Sequence, residues 1–190
     1  SFATYGFRDG QSAGFYRIAS DARNVPAIYP DGFLPRINTE LNDYAGTVGL
    51  KGELADWRWD LSGQHGINRF DFNITNSLNR SFGTVSPQTF DSGGLRYAQT
   101  LLNLDVSREL VVGFAQSFTL AGGLEYRRET FDIRPGEALS YANGPAGGAP
   151  GAQVFPGFRP SIGGQRVDQQ HSRRNVSAYA ELDVDVSDRF

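Results

Sequence analysis

"GELADWRWDLSGQHG" (residues 52–66) is the stretch that decides the fold. Residues 54–56 read as a tight turn. From Trp57 onward, Trp57, Trp59 and Leu61 alternate with Arg58, Asp60, Ser62 and Gln64, and Ile67 and Asn68 continue the two sets. A period of two belongs to a β-strand, whose successive side chains point to opposite faces. The strand therefore starts at a turn with two tryptophans on one face, while its charges look the other way.

The same alternation occurs along the rest of the chain. Strands are expected at about 1–9, 43–53, 57–74, 95–106, 116–133 and 172–186, each with one apolar and one polar face. Residues 1–9 set Ala3, Tyr5 and Phe7 against Thr4 and Arg8, and 44–53 set Tyr44, Val48 and Leu50 against Thr47, Lys51 and Glu53. Next, Ala98, Leu102, Leu104 and Val106 oppose Gln99, Asn103 and Asp105, and Phe118, Leu120, Leu124 and Tyr126 oppose Ser117, Thr119, Glu125 and Arg127. The regular last run, "NVSAYAELDVDV" (175–186), puts Val176, Ala178, Ala180, Leu182, Val184 and Val186 against Asn175, Ser177, Glu181, Asp183 and Asp185.

The connections alternate in length. Those at about 10–42, 75–94 and 134–171 are long and rich in Gly, Pro, Asn and Ser, whereas 54–56 and 107–115 are short. In an up-and-down sheet alternate connections share an end, so the long loops gather on one side. Long structureless loops argue against an ordinary compact domain, but outer-membrane barrels have short periplasmic turns and long extracellular loops. Trp57 and Trp59 sit beside a short turn, while Tyr44, Phe70, Phe72, Tyr97 and Tyr126 lie nearer the long-loop ends. This outlines two interfacial aromatic girdles.

Composition bounds the alternatives. The 190 residues suffice for one domain, but the chain starts at Ser1, has no methionine and stops within a pattern, so a fragment is the simplest expectation. Cysteine is absent, which leaves no disulfide or thiolate site and suits an oxidising compartment. A net charge of -3 supplies no field for nucleic acid. No run approaches the roughly 18 apolar residues of a transmembrane helix, and no signal peptide is evident. A barrel escapes both tests, because alternation averages out in hydropathy.

Site chemistry is sparse. His65, on the Trp59 face, and His171, in a loop beside Arg173 and Arg174, are the only histidines, and no carboxylate–histidine spacing supports catalysis or a metal. "DVDVSD" (183–188) imitates a calcium loop through Asp183 and Asp185, but has Asp188 where glycine is required, so polar-face acids are the better reading. "NIT" (73–75) and "NVS" (175–177) match glycosylation acceptors by coincidence. "GPAGGAPG" (144–151) reads as a flexible spacer. Of the eighteen basic residues only Lys51 is lysine; arginine favours planar contacts with carboxylate or phosphate, although a GC-rich genome gives the same bias. Loop residues Arg17, Arg23, Arg36, Arg159 and Arg166, with Tyr16, Tyr29, Phe33, Phe155 and Phe158, suit an anionic chelate or sugar or lipopolysaccharide phosphates. They equally suit packing among the loops, which is the preferred reading.

Several stretches resemble the barrel of TonB-dependent outer-membrane receptors of Gram-negative bacteria. They are "DARNVPAIYPDGFLPRINTELNDYAGTVGLKGEL" (21–54), "WRWDLSGQHGINRFDFNITNSLN" (57–79), "FDSGGLRYAQTLLNLDVSREL" (90–110), "GLEYRRETFDI" (123–133) and "FPGFRPSIGGQRVDQQHSRRNVSAYAELDVDVSDRF" (155–190). The resemblance runs along nearly the whole chain in one order, without the family's TonB box or plug domain. It implies an all-β, antiparallel, up-and-down transmembrane barrel of about 22 strands with a plugged lumen, of which this chain supplies about six.

Implied too are a location in the bacterial cell outer membrane, contact with its lipid and lipopolysaccharide, and coupling to the TonB complex through an N-terminal part not in this sequence. The implied function is import of a scarce ligand such as a siderophore, vitamin or carbohydrate. No cofactor, enzyme activity or nucleic-acid partner is expected. The competing expectation is a soluble all-β carbohydrate-binding or adhesion module, its strands folded as a sandwich.

Overall fold

The computed structural model describes residues 1–113, 117–147, 154–162 and 165–185. Six long strands form one sheet: β1 (Phe2–Ala13), β2 (Arg36–Leu54), β3 (Trp57–Thr75), β4 (Thr89–Glu109), β5 (Ser117–Arg134) and β6 (His171–Asp185). They lie in sequence order, each antiparallel to the next, so the protein is all-β and built on a large up-and-down sheet. The sheet is open: β1 and β6 are its edges among the described residues.

The β2–β3 hairpin is closed by Ala55 (φ 50°) and Asp56 (φ 65°), both left-handed. Two such residues make the type I′ turn, whose twist matches that of the flanking strands. Alanine is a strained occupant, since its Cβ crowds the following carbonyl. Ala55→Asn is therefore expected to stabilise the hairpin by about 0.5–1 kcal/mol, read as a higher denaturation midpoint at constant m-value.

Register brings the apolar residues of each strand onto one face, because directly opposed residues share a side. One row runs Leu50, Leu61, Leu104, Leu124, Ala178 across β2 to β6. The next row, on the other face, runs Lys51, Asp60, Asp105, Gly123, Tyr179. These two sides are called below the Trp59 face and the Asp60 face.

Strands β1, β2 and β4 outrun their expected limits, whereas β3, β5 and β6 match theirs to within a residue at the described ends. β1 continues to Ala13, β2 begins at Arg36 and β4 at Thr89, so about a third of each of the expected loops 10–42 and 75–94 belongs to the long strands. The remainder carries a two-residue pairing of Arg17–Ile18 with Gly32–Phe33 and a 3-10 turn at Arg80–Val85. Within 134–171 lie a short helix, α1 (Ala138–Tyr141), and the pairing of Ser161–Ile162 with Gln165–Arg166. The expected strands 116–133 and 172–186 reach Gln116 and Val186, which lie outside the described residues, as does Asp188.

On β2 and β4 the extra length coincides with an exchange of polarity between the faces. Toward the long connections the Trp59 face becomes polar, with Arg36, Asn38, Glu40, Arg69 and Asp71, and the Asp60 face becomes apolar, with Ile37, Leu41, Phe70, Leu95 and Ile133. Alternation continues there in the opposite phase. A search for one continuous apolar face stops at the crossover.

A bulge completes the upper part. β3 advances from Asp71 to Asn73 while β4 runs from Gly94 to Asp91, so β4 carries one extra residue. Gly93 lies there at φ 89°, where an added Cβ would stand 2.3 Å from the Arg134 carbonyl oxygen. The bulge shifts the phase of β4, bringing Phe90 beside Ile74 on the side of Leu95. Phe90, Ile74 and Val154 form a buried cluster against which Ile37 packs.

Two of the long connections are tied down above it. Asn79, fully buried, donates from Nδ2 to the carbonyls of Leu139 (2.8 Å) and Ala142 (2.9 Å), joining residues 76–88 to α1. Phe155 and Phe158 meet Phe72 edge-on at 5.9 Å each.

Candidate functional site

The Trp59 face carries an apolar band: 44–54 on β2, 57–67 on β3, 98–106 on β4, 118–126 on β5 and 176–184 on β6. These runs are nine to eleven residues long, so at about 3.3 Å per residue and an incline of about 35° they stand about 24–30 Å tall. The band is bare. Leu50 is 68 %, Leu124 55 % and Val176 78 % exposed, and Val48, Leu61, Leu102 and Leu182 are exposed too.

The borders of the band run obliquely to the register. The Tyr44 row continues through Ile67, Ala98 and Thr130 to Ser172, yet on β6 the last apolar residue is Val176, four residues further toward the short-turn end. That slope over four strand spacings corresponds to strands inclined by about 35° to the band. At the other border the Leu54 and Trp57 level is passed in the same direction by Phe118 and Val184.

Aromatic rings mark both borders. Trp57 and Trp59 stand at the short-turn end, where the Trp59 indole lies over Gly52; a Cβ there would come within 2.6 Å of the ring. The Arg108 guanidinium sits 5.9 Å from the Trp57 ring and pairs with Asp56 at 3.1 Å. At the opposite border Tyr5 and Tyr44 pack with ring centroids 5.0 Å apart. Tyr126 shares this face, but Phe70, Phe72 and Tyr97 do not, so the expected second girdle is corrected: those three rings stand on the Asp60 face, beyond the crossover.

The Asp60 face is polar where the other is apolar. Lys51, Glu53, Arg58, Asp60, Asp105 and Tyr179 line a groove of about 550 Å3. Tyr179 donates its hydroxyl to Asp105 at 2.8 Å. Nearer the long connections Asn68 donates to Asp43 at 2.5 Å. Glu129, buried, accepts from the Tyr97 hydroxyl and from the Arg173 guanidinium.

On the Trp59 face above the band, Arg134 bridges Asp71 at 2.9 Å and Asp91 at 2.8 Å, and Arg69 meets Asp71 at 2.7 Å. The hydrogen bond from Arg134 holds the Asp91 carboxyl below the ordinary carboxylate range.

The histidines and acids named from the sequence are dispersed. His65 lies on the Trp59 face as its phase requires, Nδ1 at 2.8 Å from Thr100 Oγ1. His171 is not in a loop; it opens β6 opposite Phe131. Asp183 and Asp185 are on the polar side of β6, and Asp185 accepts from Ser117 at 3.0 Å. Among the described residues no three His, Asp or Glu side chains come together as metal ligands.

Three of the arginines expected in loops are engaged by neighbours. Arg23 pairs with Asp21 at 2.6 Å and Arg166 with Asp168 at 2.8 Å, each guanidinium lowering its partner's pKa through the hydrogen bond. Arg36 donates to Gln11 at 2.8 Å. Tyr29 stacks on Phe33 at 4.7 Å, and Tyr16 donates to the Asp31 carbonyl at 2.7 Å.

Sequence reasoning named strand arginines but missed how they pair. The dipeptides Arg127-Arg128 and Arg173-Arg174 send one side chain to each face, so their register is what pairs Glu129 with Arg173 and sets Arg128 opposite Arg174.

No helix among the described residues is long and apolar enough to cross a membrane, a test that does not bear on strands. Comparison of the chain with protein-family models, with curated proteins and with solved structures gives no match.

Proposed function

We propose that the chain is part of the wall of an outer-membrane, TonB-dependent receptor that imports a scarce ligand such as a siderophore, vitamin or carbohydrate. The observation that carries the membrane-spanning part is the bare band on the Trp59 face. Its height, its inclined borders and its aromatic edges suit lipid, and the groove on the opposite face suits a polar lumen. The receptor class rests on the resemblance of the strand series. In this reading β1 and β6 meet further strands of a closed barrel, which removes both exposed edges. Trp57 and Trp59 lie at the periplasmic border and the long connections face outward. The sandwich alternative needs a second sheet over the band, and the described residues supply none.

Single cysteines at Leu61 and Ser62 in the full-length protein, with any cysteine outside these 190 residues replaced by serine, test the assignment; the 190 residues themselves contain no thiol. A water-soluble thiol reagent applied to cells with permeabilised outer membranes is expected to label position 62 and spare position 61. Preferential labelling at 61 would refute it.

A further inference from the structure

One row on the Trp59 face breaks a rule of sheet pairing. Arg128 stands directly opposite Arg174, both exposed, and no ion-pair partner for either occurs among the described residues. Like charges so placed are destabilising, with Cβ atoms about 4.5–5.5 Å apart. The other arginines just above the band have neutralising partners: Arg69 has Asp71, and Arg96 has Asp132 at 3.4 Å. The row continues to Thr100 and His65. Immediately below it are Tyr126 and Val176, at the border of the band.

We propose that Arg128 and Arg174 clamp the phosphate of a lipid headgroup, whose acyl chains then lie along the apolar band. This rests on the membrane reading above. Two guanidiniums on adjacent strands offer forked donors to one phosphate, and their mutual repulsion is relieved by the anion. The pair is on the outside of the wall, beside apolar side chains and away from the polar groove, so a lipid phosphate fits it better than a soluble anion does. Violations of local pairing rules are expected where a site does work.

The test uses the full-length protein reconstituted in phosphatidylcholine nanodiscs doped with bis-phosphorylated lipid A, with retained lipid A counted by mass spectrometry after exchange into detergent. Arg128→Gln/Arg174→Gln is expected to retain at least roughly tenfold less than wild type, and Arg127→Gln, on the other face, to match wild type. Dephosphorylated lipid A is expected to bind wild type and double variant alike. Equal retention of the phosphorylated lipid by the two proteins overturns the clamp. Displacement by millimolar inorganic phosphate overturns the lipid as its occupant.

Should the double variant lose strand content by circular dichroism, Arg128→Lys/Arg174→Lys decides: several-fold weaker retention supports a paired-guanidinium site, and wild-type retention overturns it. Labelling at positions 61 and 62 on the same samples separates the two ideas. A reversed pattern sinks the membrane reading, whereas the expected pattern with unchanged retention sinks only the clamp.

Discussion

Leu61→Arg is expected to cost the full-length, membrane-inserted protein about 2–4 kcal/mol, because it places a guanidinium near the middle of the lipid-facing band. Leu61 lies within the leucine row that crosses β2 to β5, far from either border, where a long side chain cannot reach the headgroups. Ser62→Arg, one residue along, is on the polar Asp60 face, opposite Asn103, and is expected to change stability by no more than about 0.5 kcal/mol. Equilibrium unfolding by guanidinium chloride in phosphatidylcholine vesicles measures both. Comparable losses would remove the basis for distinguishing the faces. A larger loss for Ser62→Arg would reverse the assignment.

The second large effect does not depend on the membrane. Phe90→Ala is expected to destabilise the loop end by about 3–5 kcal/mol, since Phe90 is fully buried and no polar group or solvent takes the place of its ring. The loss combines reduced transfer free energy with a cavity between Ile74 and Val154. Above that cavity Asn79 ties residues 76–88 to α1, and the Glu137 amide donates to the Asp91 carbonyl at 2.8 Å. Amide hydrogen exchange should therefore accelerate at Ser81 and Glu137 in Phe90→Ala and stay unchanged at Leu61 and Leu104. Uniform acceleration along β3 and β4 would instead mean that the loop end and the band unfold as one unit.

The two variants probe the two halves of the same sheet, which solve the same physical problem differently. Around the band, the Trp59 face carries apolar side chains that nothing among the described residues covers. Beyond the crossover, the Asp60 face carries them, and Phe155, Phe158 and Val154 from the last long connection cover them. Residues 154–158 of that connection thus become part of a core while being neither helix nor strand.

The alternation in 1–9, 44–53, 57–68, 96–107, 117–133 and 175–185 was enough to read the strands, their antiparallel order and which residues share a face, because side-chain direction in a strand follows from position alone. The tight turn after Leu54 was legible for the same reason, since two alternating runs met there with almost nothing between them. The long-connection ends of β1, β2 and β4 were not legible, whereas that of β3 was read to within one residue: past Tyr44 the pattern of β2 keeps its period but reverses its phase, and one-dimensional hydropathy reads reversal as termination.

Nor could the sequence place Phe90, whose face depends on the extra residue at the Gly93 bulge. The pairings Glu129–Arg173 and Arg128–Arg174 were equally hidden, because they depend on register between strands 37 residues apart at their ends, from Arg134 to His171. Periodicity is a property of one strand and is written in its residues. Register, bulges and the docking of loops depend on how strands meet, and only the tertiary structure decides that.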